Sequence, residues 1–345
     1  IFLNKIFSEN KFLKLSSLLF LFLPFAIISG NFLTNFLIIY SILFMIILLI
    51  LVKNIKFFYT KEVRYLTIFF LYLLINAFIN NDQYVFNSSI KYLRFYFFCL
   101  AIFYLIYSNN EFYNKLTFIF LITFLIIIID GFFQYFTGIN LIGLKQEIPH
   151  RISSFFGDEF ILGSFISKYL PFLILFFLIN EKYNILFLPV LFLLLILSFV
   201  AGERTAFITT LLISFFTILK LYNIKKIIFF ILITIVGFSI IINVDDVTKQ
   251  RMIYSTIEST KIISEWKNPK SLKIYTSQHN AHFQSAYLMY KKGNISEKLF
   301  GRGVKSFKKN CSKKEFCDYI NCCSTHPHNI FLQVLSEIGL VGLFF

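Results

Sequence analysis

The sequence predicts an all-α, polytopic membrane protein with about ten membrane-spanning helices and one large polar loop. Three observations lead to this fold class. Of the 345 residues, 57% are hydrophobic and only 15% are charged. The mean hydropathy is +0.74. The apolar residues also come in repeated runs of about 20, which is the length that an α-helix needs to cross a bilayer.

Nine apolar runs, separated by charges or by Gly, Pro and Asn, mark the first nine predicted spans. They cover 15–29, 32–52, 64–80, 89–107, 115–136, 161–179, 184–201, 204–221 and 226–243. The chain therefore divides into residues 1–243 with these spans, a polar loop over 244–327, and residues 328–345, which begin a tenth span. Helical spacing inside the loop predicts surface helices over 247–266 and 281–292.

The distribution of Lys and Arg among the short loops predicts the orientation. Basic residues concentrate in the N-terminal tail and in the loops after spans two and eight, at Lys5, Lys11, Lys14, Lys53, Lys56, Lys61, Arg64, Lys220, Lys225 and Lys226. These segments are expected on the cytoplasmic side. By parity, the loops after spans five, seven and nine face the periplasm, which predicts a multi-pass protein of the bacterial inner membrane.

Both ends of the sequence are expected to be incomplete. It starts at Ile1 and stops within an apolar run, so we expect a fragment that lacks its start and one or more final helices. The formal net charge of +15 does not predict nucleic-acid binding, because no basic helix with interleaved aromatic residues is present. Membrane lipid is the expected environment, and no nucleic-acid partner is expected.

Five ionisable side chains lie within or at the edge of predicted spans: Lys91, Arg94, Asp130, Arg204 and Glu337. A charge facing lipid costs a few kcal/mol, so these groups are expected in the bundle interior or in a wet cavity. For Asp130 and Arg94 an internal ion pair is an equally good expectation. Arg204 differs because it lies at the outer mouth of span eight, where its guanidinium can give a phosphate two parallel hydrogen bonds.

The five cysteines fall into two groups. Cys99 lies in span four and is expected to be a small apolar core residue. Cys311, Cys317, Cys322 and Cys323 lie in the polar loop, where an oxidising compartment favours disulfides. A bond from Cys311 to Cys322 or Cys323 would close a short loop and contribute roughly 2–3 kcal/mol. A zinc site is the weaker alternative, because adjacent cysteines do not fit the usual ligand spacing.

Two histidines, His326 and His328, stand where the polar loop meets the last apolar run. Pro327 between them suits the start of a helix, so His328 is expected at a membrane surface beside helix amides. An imidazole there can exchange a proton near neutral pH. The alternative is a histidine that only caps the helix.

Four motifs accompany these histidines. His328-Asn329 is followed, after nine residues, by Gly339-x-x-Gly342. Residues 151–164 have the pattern R-x-S-x-x-F-G-D-E-x-x-L-G-S. Gly202-Glu203-Arg204 gives G-x-R, and Gly301-Arg302-Gly303 gives G-x-G.

On these motifs, and over about residues 85–345, the chain resembles the O-antigen ligase and polymerase superfamily of bacterial membrane glycosyltransferases. The resemblance implies transfer of a glycan from an undecaprenyl diphosphate carrier to the hydroxyl of an acceptor sugar at the periplasmic face. The implied partners are that lipid-linked donor and, as acceptor, either a lipid A core or a lipid-linked glycan. Ligase and polymerase both remain open.

The resemblance also implies roles for individual residues. A diphosphate leaving group needs cations, for which Arg204 comes first, Arg151 second and Arg302 third. The acceptor hydroxyl needs a base, for which His328 is expected and His326 is the alternative. Neighbouring arginines are expected to lower the pKa of the base and keep it neutral.

Three carboxylates are expected to support the site: Asp158 and Glu159 by orienting Arg151, and Glu337 nearby. No Asp-x-Asp cluster for a metal is present, so we expect a metal-independent transfer without a cofactor, which inverts the anomeric centre in a single displacement. One departure from the family is the absence of an arginine in the region before the G-x-G motif, which here reads His279-Asn280-Ala281-His282. Arg302, His279 or His282 is expected to take its phosphate-binding role.

A transporter or flippase for lipid-linked sugars is the alternative from another class, and a structural membrane protein is a third. A transporter predicts inverted repeats and charges at the membrane midplane. The sequence has no detectable repeat, and its polar motifs lie at one predicted surface. This favours the enzyme.

Overall fold

The computed structural model describes residues 9–51, 55–148, 151–260, 277–317 and 322–345. Sixteen α-helices carry the fold of these ranges: α1 Glu9–Leu21, α2 Leu23–Ile28, α3 Asn31–Leu51, α4 Lys61–Asn80, α5 Gln83–Ser108, α6 Asn110–Thr137, α7 Leu162–Ile179, α8 Asn184–Val200, α9 Arg204–Leu221, α10 Ile224–Val244, α11 Asp246–Lys249, α12 Ser255–Thr260, α13 Ser277–Lys291, α14 Ile295–Phe300, α15 Ser306–Asn310 and α16 Ile330–Leu343. A π-helical turn, Gln250–Tyr254, joins α11 to α12.

Nine helical segments of the described chain are long and apolar enough to cross a membrane: α1 continued by α2, then α3 to α8 and finally α9 and α10. Each of the nine predicted spans therefore has a counterpart. No strand occurs in the described ranges, where only Ile139 and Lys145 form an isolated β-bridge. The prediction of an all-α polytopic membrane protein is confirmed.

Asparagine and proline explain several helix boundaries. Asn109, Asn223 and Asn329 each accept a hydrogen bond from a backbone N–H in the first turn of α6, α10 and α16, and so satisfy one of the amides that a helix start leaves unpaired. Pro24 lies in the first turn of α2, directly after the break from α1. Asn and Pro are among the residues that separated the apolar runs when the spans were predicted from the sequence.

The described chain forms two compact units. The first comprises residues 1–37 and 105–258, and its core lies among α6, α7, α8 and α9. Phe120 of α6 stacks on Phe172 of α7 with ring centroids 4.4 Å apart. Gly131 of α6 allows close approach of α8, since a Cβ there would lie 2.6 Å from a methyl carbon of Leu197.

Two buried polar side chains of α6 hold the loop that carries the R-x-S motif. Asp130 accepts a hydrogen bond from the hydroxyl of Ser154 at 2.5 Å. The side-chain oxygen of Gln134 accepts the backbone N–H groups of Ser153 at 2.9 Å and of Ser154 at 2.7 Å. Neutral donors therefore satisfy Asp130, in place of the ion pair considered from the sequence.

The second unit comprises residues 38–104 and 259–345, and within it the polar loop is bonded to α4. The hydroxyl of Tyr72 donates to the carbonyl oxygens of Ile338 at 2.5 Å and of Phe300 at 3.2 Å. The amide of Asn76 also donates to the carbonyl of Phe300. These bonds fix the end of α14 and the middle of α16 against one helix of the same unit.

Two disulfides fasten the loop just before the two histidines: Cys311–Cys323 and Cys317–Cys322. Cys311 thus pairs with Cys323, one of its two predicted partners. It is fully buried beside Phe307 and Phe316. The four cysteines are used in disulfides, so the zinc alternative does not hold.

The expectation that Cys99 of α5 belongs to the core was wrong, because this residue is exposed on the surface of the protein. Lys91 and Arg94 of the same helix, expected in the bundle interior or in a wet cavity, are exposed, so they do not lie in the interior. Long basic side chains can lie along an apolar surface while the charged end reaches water, which removes the need for an internal partner.

The helices predicted in the polar loop and the predicted start of a tenth span have counterparts whose bounds differ from the predicted ones. The helix predicted over 247–266 is described as far as Thr260, and it includes the π-helical turn; the rest of it lies outside the described residues. The helix predicted over 281–292 is α13. Helix α16 corresponds to the predicted start of the tenth span, and its 14 residues are interrupted by the non-helical backbone of Gly339.

Candidate functional site

Three arginines of the first unit line one cavity of about 590 Å³. Arg151 comes from the loop after α6, Arg204 is the first residue of α9, and Arg251 lies in the π-helical turn after α11. The backbone and side chains of Val247 and Thr248 complete part of its wall. The structure thus brings together two of the three predicted phosphate ligands and adds a third arginine.

Glu203 links two of the sequence motifs beside this cavity. Its carboxylate accepts the backbone N–H of Gly163 at 2.7 Å and the hydroxyl of Ser164 at 2.5 Å. These residues form the first turn of α7, where a negative charge is favoured by the unpaired amides and by the helix dipole. The L-G-S end of the first motif and the G-x-R motif therefore form one structural element.

Arg251 was missed by the sequence analysis. Its Nε donates to the carbonyl oxygen of Gly202 at 2.9 Å. Gly202 has φ +73°, and a Cβ on it would lie 2.6 Å from that same Nε. The glycine of G-x-R thus provides the backbone conformation and the space that seat Arg251. The glycine at position 202 of the sequence could have indicated that a side chain packs closely there. The sequence alone does not show that this side chain is Arg251.

The arginines share one electrostatic environment. Burial, together with the neighbouring charge of Arg251, lowers the pKa of Arg151 to about 10, while the charge of Glu203 acts in the opposite direction. The pKa of Arg251 is also lowered, first by burial and then by Arg204. Because the pKa of Arg151 stays well above neutral pH, its guanidinium group remains charged beside Arg251. Mutually repelling cations in one cavity favour a bound anion.

Asp158 and Glu159 do not orient Arg151 in the structure. Both side chains are exposed. Arg151 instead lies over the ring of Phe160, with 3.4 Å from its guanidinium carbon to the ring centroid, and the carboxylate that acts on it is Glu203. The reason is the turn at Gly157, after which the two carboxylates point to solvent while Glu203 is held beside the cavity by the α7 amides.

Arg302 belongs to the second unit and has structural partners there. It forms an ion pair with Glu297 at 3.0 Å. Its Nε donates to the carbonyl oxygen of Met289 at 3.2 Å, and its guanidinium lies over the ring of Phe316. These contacts tie α14 to α13 and to the disulfide-bonded loop. Arg302 does not line the arginine cavity.

The two predicted histidines lie in the second unit within a cluster of four imidazole rings. The ring of His328 is 4.2 Å from that of His326, 5.0 Å from that of His279 and 5.2 Å from that of His282, measured between centroids. The last two come from α13 and were noted in the sequence only as residues in the place of a family arginine. Among the described residues, no group of three or more His, Cys, Asp or Glu side chains is arranged to hold a metal ion.

The backbone around His328 differs from the predicted helix start. Helix α16 begins at Ile330, and its N-cap is Asn329, whose side chain accepts the backbone N–H of Leu332 at 3.1 Å. The histidine therefore is not needed as a cap. His328 has φ +57°, a left-handed conformation that is uncommon for a residue with a Cβ. Such geometry persists where the surroundings enforce it.

The surroundings of His328 lower its pKa to about 4. The main cause is burial, followed by the charges of His326, His279 and His282. Part of the ring remains exposed, but its neighbours displace enough water to disfavour the charged form. The direction of the shift agrees with the expectation, whereas its sources are burial and histidines in place of arginines.

Glu337 is buried in α16 and holds the loop before the histidines. Its carboxylate accepts the backbone N–H of Phe307 at 3.4 Å and the side-chain amide of Gln333 at 3.3 Å. Its backbone carbonyl accepts the N–H of Gly303 at 2.6 Å. Glu337 is therefore a structural support of the polar loop.

Comparison with protein families gave one match, over residues 189–345, to the family model described as O-Antigen ligase. Residues 189–345 are therefore similar to O-antigen ligases, which supports a relationship to the O-antigen ligase and polymerase superfamily. Comparisons with curated proteins and with solved structures gave no significant match.

The O-antigen ligase match spans parts of both units. It includes Arg204 and Arg251 of the cavity and all four clustered histidines. Arg151 lies before the matched residues, so its assignment depends on its place in the cavity and on the motif in the sequence. The family resemblance inferred from the motifs is confirmed.

Proposed function

We propose that this protein is a membrane glycosyltransferase of surface polysaccharide biosynthesis, which takes a glycan from an undecaprenyl diphosphate carrier and joins it to the hydroxyl of an acceptor sugar. The observation that carries the proposal is the cavity in which Arg151, Arg204 and Arg251 meet. A diphosphate is the anion that such a set of guanidinium groups suits best, because each can bind two phosphate oxygens.

The charges around the cavity support an anionic ligand. Three guanidinium groups face it, and Asp246 also lines it while Glu203 acts on two of the arginines. By simple counting the site keeps about one positive charge when it is empty. A diphosphate would reverse this excess, and its developing charge on departure would be stabilised by donors that are already in place.

The proposed reaction is a single displacement. The acceptor hydroxyl oxygen attacks the anomeric carbon of the donor, the bond from that carbon to the diphosphate oxygen breaks, and the carrier diphosphate leaves with the bonding electrons. The arginines of the cavity bind the leaving group. His328 accepts the hydroxyl proton, with His326 as the alternative base. One displacement inverts the anomeric configuration.

A transfer assay tests the proposal. The full-length protein in lipid nanodiscs is given a glycan on undecaprenyl diphosphate together with an acceptor, and the product linkage is analysed by NMR. We expect an inverted linkage and the same rate after dialysis against EDTA. A retained configuration would contradict the single displacement, and a loss of rate reversed by added metal would contradict metal independence.

The identity of the acceptor distinguishes two activities that the proposal allows, ligase and polymerase. With a lipid A core as acceptor the protein is a ligase, and with a lipid-linked glycan it is a polymerase. Deletion in the source bacterium distinguishes them by the carrier-linked species that accumulate. Long unligated chains indicate a ligase, single repeat units indicate a polymerase, and unchanged carrier lipids would contradict the proposed donor.

The proposed location is the inner membrane, with the polar loop in the periplasm. A membrane-impermeant maleimide tests it in a Cys99→Ser background, which removes the free thiol. Asn294 is exposed on the loop, and Tyr183 lies between α7 and α8 on the opposite predicted side. A cysteine at Asn294 should be labelled in intact cells and one at Tyr183 only after permeabilisation. The reverse pattern would contradict the orientation.

A further inference from the structure

His328 is the centre of the histidine cluster. Its ring has three imidazole neighbours; of the two from α13, His282 stacks on it at an interplanar angle of 24° and His279 is tilted at 32°. His279 and His282 are three residues apart in α13, a spacing that places both on one face of the helix. One helix thus presents two imidazoles to the candidate base.

We propose that His279 and His282 are positioning residues for His328: they hold its ring in one orientation and keep it uncharged, so that it remains a proton acceptor in acidic surroundings. The proposal rests on the function proposed above, in which His328 is the base. In this proposal neither His279 nor His282 contacts the substrate. Both act through the ring of His328.

The backbone explains why His328 needs such support. Its left-handed conformation sets it apart from α16, whose first turn is capped by the next residue, Asn329. On the loop side, its Nε2 makes a long contact of 3.4 Å with the hydroxyl of Ser324, and the ring of His326 lies 4.2 Å away between centroids. The packed ring of His282, which is 6% exposed, supplies a fixed surface against which the imidazole of His328 can lie.

The charged and titratable groups around the cluster all oppose protonation of His328. His279 and His282 face it from α13, and His326 faces it from the loop. The pKa of His326 is itself lowered, first by burial and then by the charge of Lys305, just before α15. A proton on a neighbouring ring disfavours a proton on His328, so His328 stays largely neutral at a pH where an isolated histidine would be half protonated.

The sign of the pH effect follows from the need for a neutral base. Transfer is present above the pKa of His328 and is lost as the pH falls through it. The neighbouring rings lower that pKa, so they extend activity to more acidic pH. Removing them should move the pKa back towards the ordinary value of about 6.5 and move the acid limb of activity with it.

The test uses the full-length protein in nanodiscs, labelled with ¹³C and ¹⁵N at histidine and purified with a tag that contains none. The chain has five histidines, and the His328 signal is the one absent from His328→Ala. Titration is compared for wild type, His279→Gln and the double variant His279→Gln/His282→Gln. Lys291→Gln, at the far end of α13, is the matched control.

We expect the pKa of His328 to rise by about one unit in the double variant and by less in His279→Gln, with no change in the control. His279 is exposed, so its single variant decides the matter if substitution of buried His282 prevents folding. An unchanged His328 titration in His279→Gln would overturn the proposal.

The pH profile of transfer is the second readout. The acid limb of kcat/KM should move to higher pH in the same variants, with rates near wild type at pH 8. If the titration shifts while no variant and no wild type transfers glycan, the function of the previous section has failed and the coupling between the histidines stands. If transfer occurs with an unshifted profile, the positioning role is wrong and the transferase remains.

Discussion

Gly301 and Gly339 meet backbone to backbone in the second unit. A Cβ on Gly301 would overlap the carbonyl group of Glu337, and a Cβ on Gly339 would overlap the carbonyl group of Leu299. Both glycines have positive φ, +79° and +69°. The G-x-G motif and the glycine that follows the HN motif are thus two halves of one contact, which breaks α16 and seats the polar loop against it.

Alanine at either glycine should therefore destabilise the protein. Positive φ and steric overlap together should cost about 3 kcal/mol for Gly301→Ala and for Gly339→Ala. The measurement is the denaturant midpoint of the purified protein in detergent. Gly143→Ala is the control, because Gly143 has φ +89° but no atom within 4 Å of the added carbon, and it should cost only about 1 kcal/mol. Equal losses for all three variants would contradict the backbone contact.

Arg251 should matter as much as the arginines found from the motifs. Arg251→Ala should reduce kcat/KM for transfer by about 100-fold or more, since removal of one donor at a comparable electrostatic site costs roughly 3–4 kcal/mol. Arg251→Lys should recover only part, because an ammonium lacks the planar fork. Lys249→Ala removes a nearby charge that does not line the cavity and should remain near wild type. A similar loss in Lys249→Ala would indicate a general effect of charge.

Gly202→Ala should reproduce the loss of Arg251. The added methyl group would lie 2.6 Å from Nε and 2.7 Å from Cδ of that arginine, so the side chain must leave its place. Donor affinity can be measured as binding of farnesyl diphosphate to the purified protein. We expect affinity to fall to the level of Arg251→Ala, and the double variant Gly202→Ala/Arg251→Ala to bind no more weakly than either. Wild-type affinity in Gly202→Ala would contradict the claim that Gly202 is needed to place Arg251 in the cavity.

The disulfides should stabilise the loop that carries the histidines. Peptide mapping without reduction should recover Cys311 joined to Cys323 and Cys317 joined to Cys322, with Cys99 free. The Cys311–Cys323 disulfide closes the longer loop of the two. Its removal in the variant Cys311→Ser/Cys323→Ser should lower the free energy of unfolding by about 3 kcal/mol and impair transfer more than donor binding. Recovery of Cys311 joined to Cys322 would contradict the pairing.

The spans were predictable because they depend on local composition. The side of each helix that faces a neighbour was not, since helices that are apolar all round carry no amphipathic pattern. This is why Cys99 was assigned to the core although it is exposed. Spacing could narrow the partners of Cys311 to two residues, whereas the choice of Cys323 depends on packing in the folded loop.

The candidate site was partly predictable for a similar reason. Arg151, Arg204 and His328 stand in motifs whose order along the chain is visible. Arg251 and the α13 histidines stand in no such pattern, and they reach their places only through tertiary structure. Gly202 illustrates the limit: its sequence position indicates a special backbone, but only the fold shows that Arg251 occupies the space.

The most direct test compares Arg204→Ala with His328→Ala in two assays of the same preparations: farnesyl diphosphate binding and glycan transfer. If the arginines bind the diphosphate and His328 is the base, Arg204→Ala should lose both binding and transfer, while His328→Ala should bind like wild type and lose transfer. His326→Ala should be milder than His328→Ala in transfer. A folded His328→Ala protein with wild-type transfer, or an Arg204→Ala protein with wild-type binding, would contradict the account.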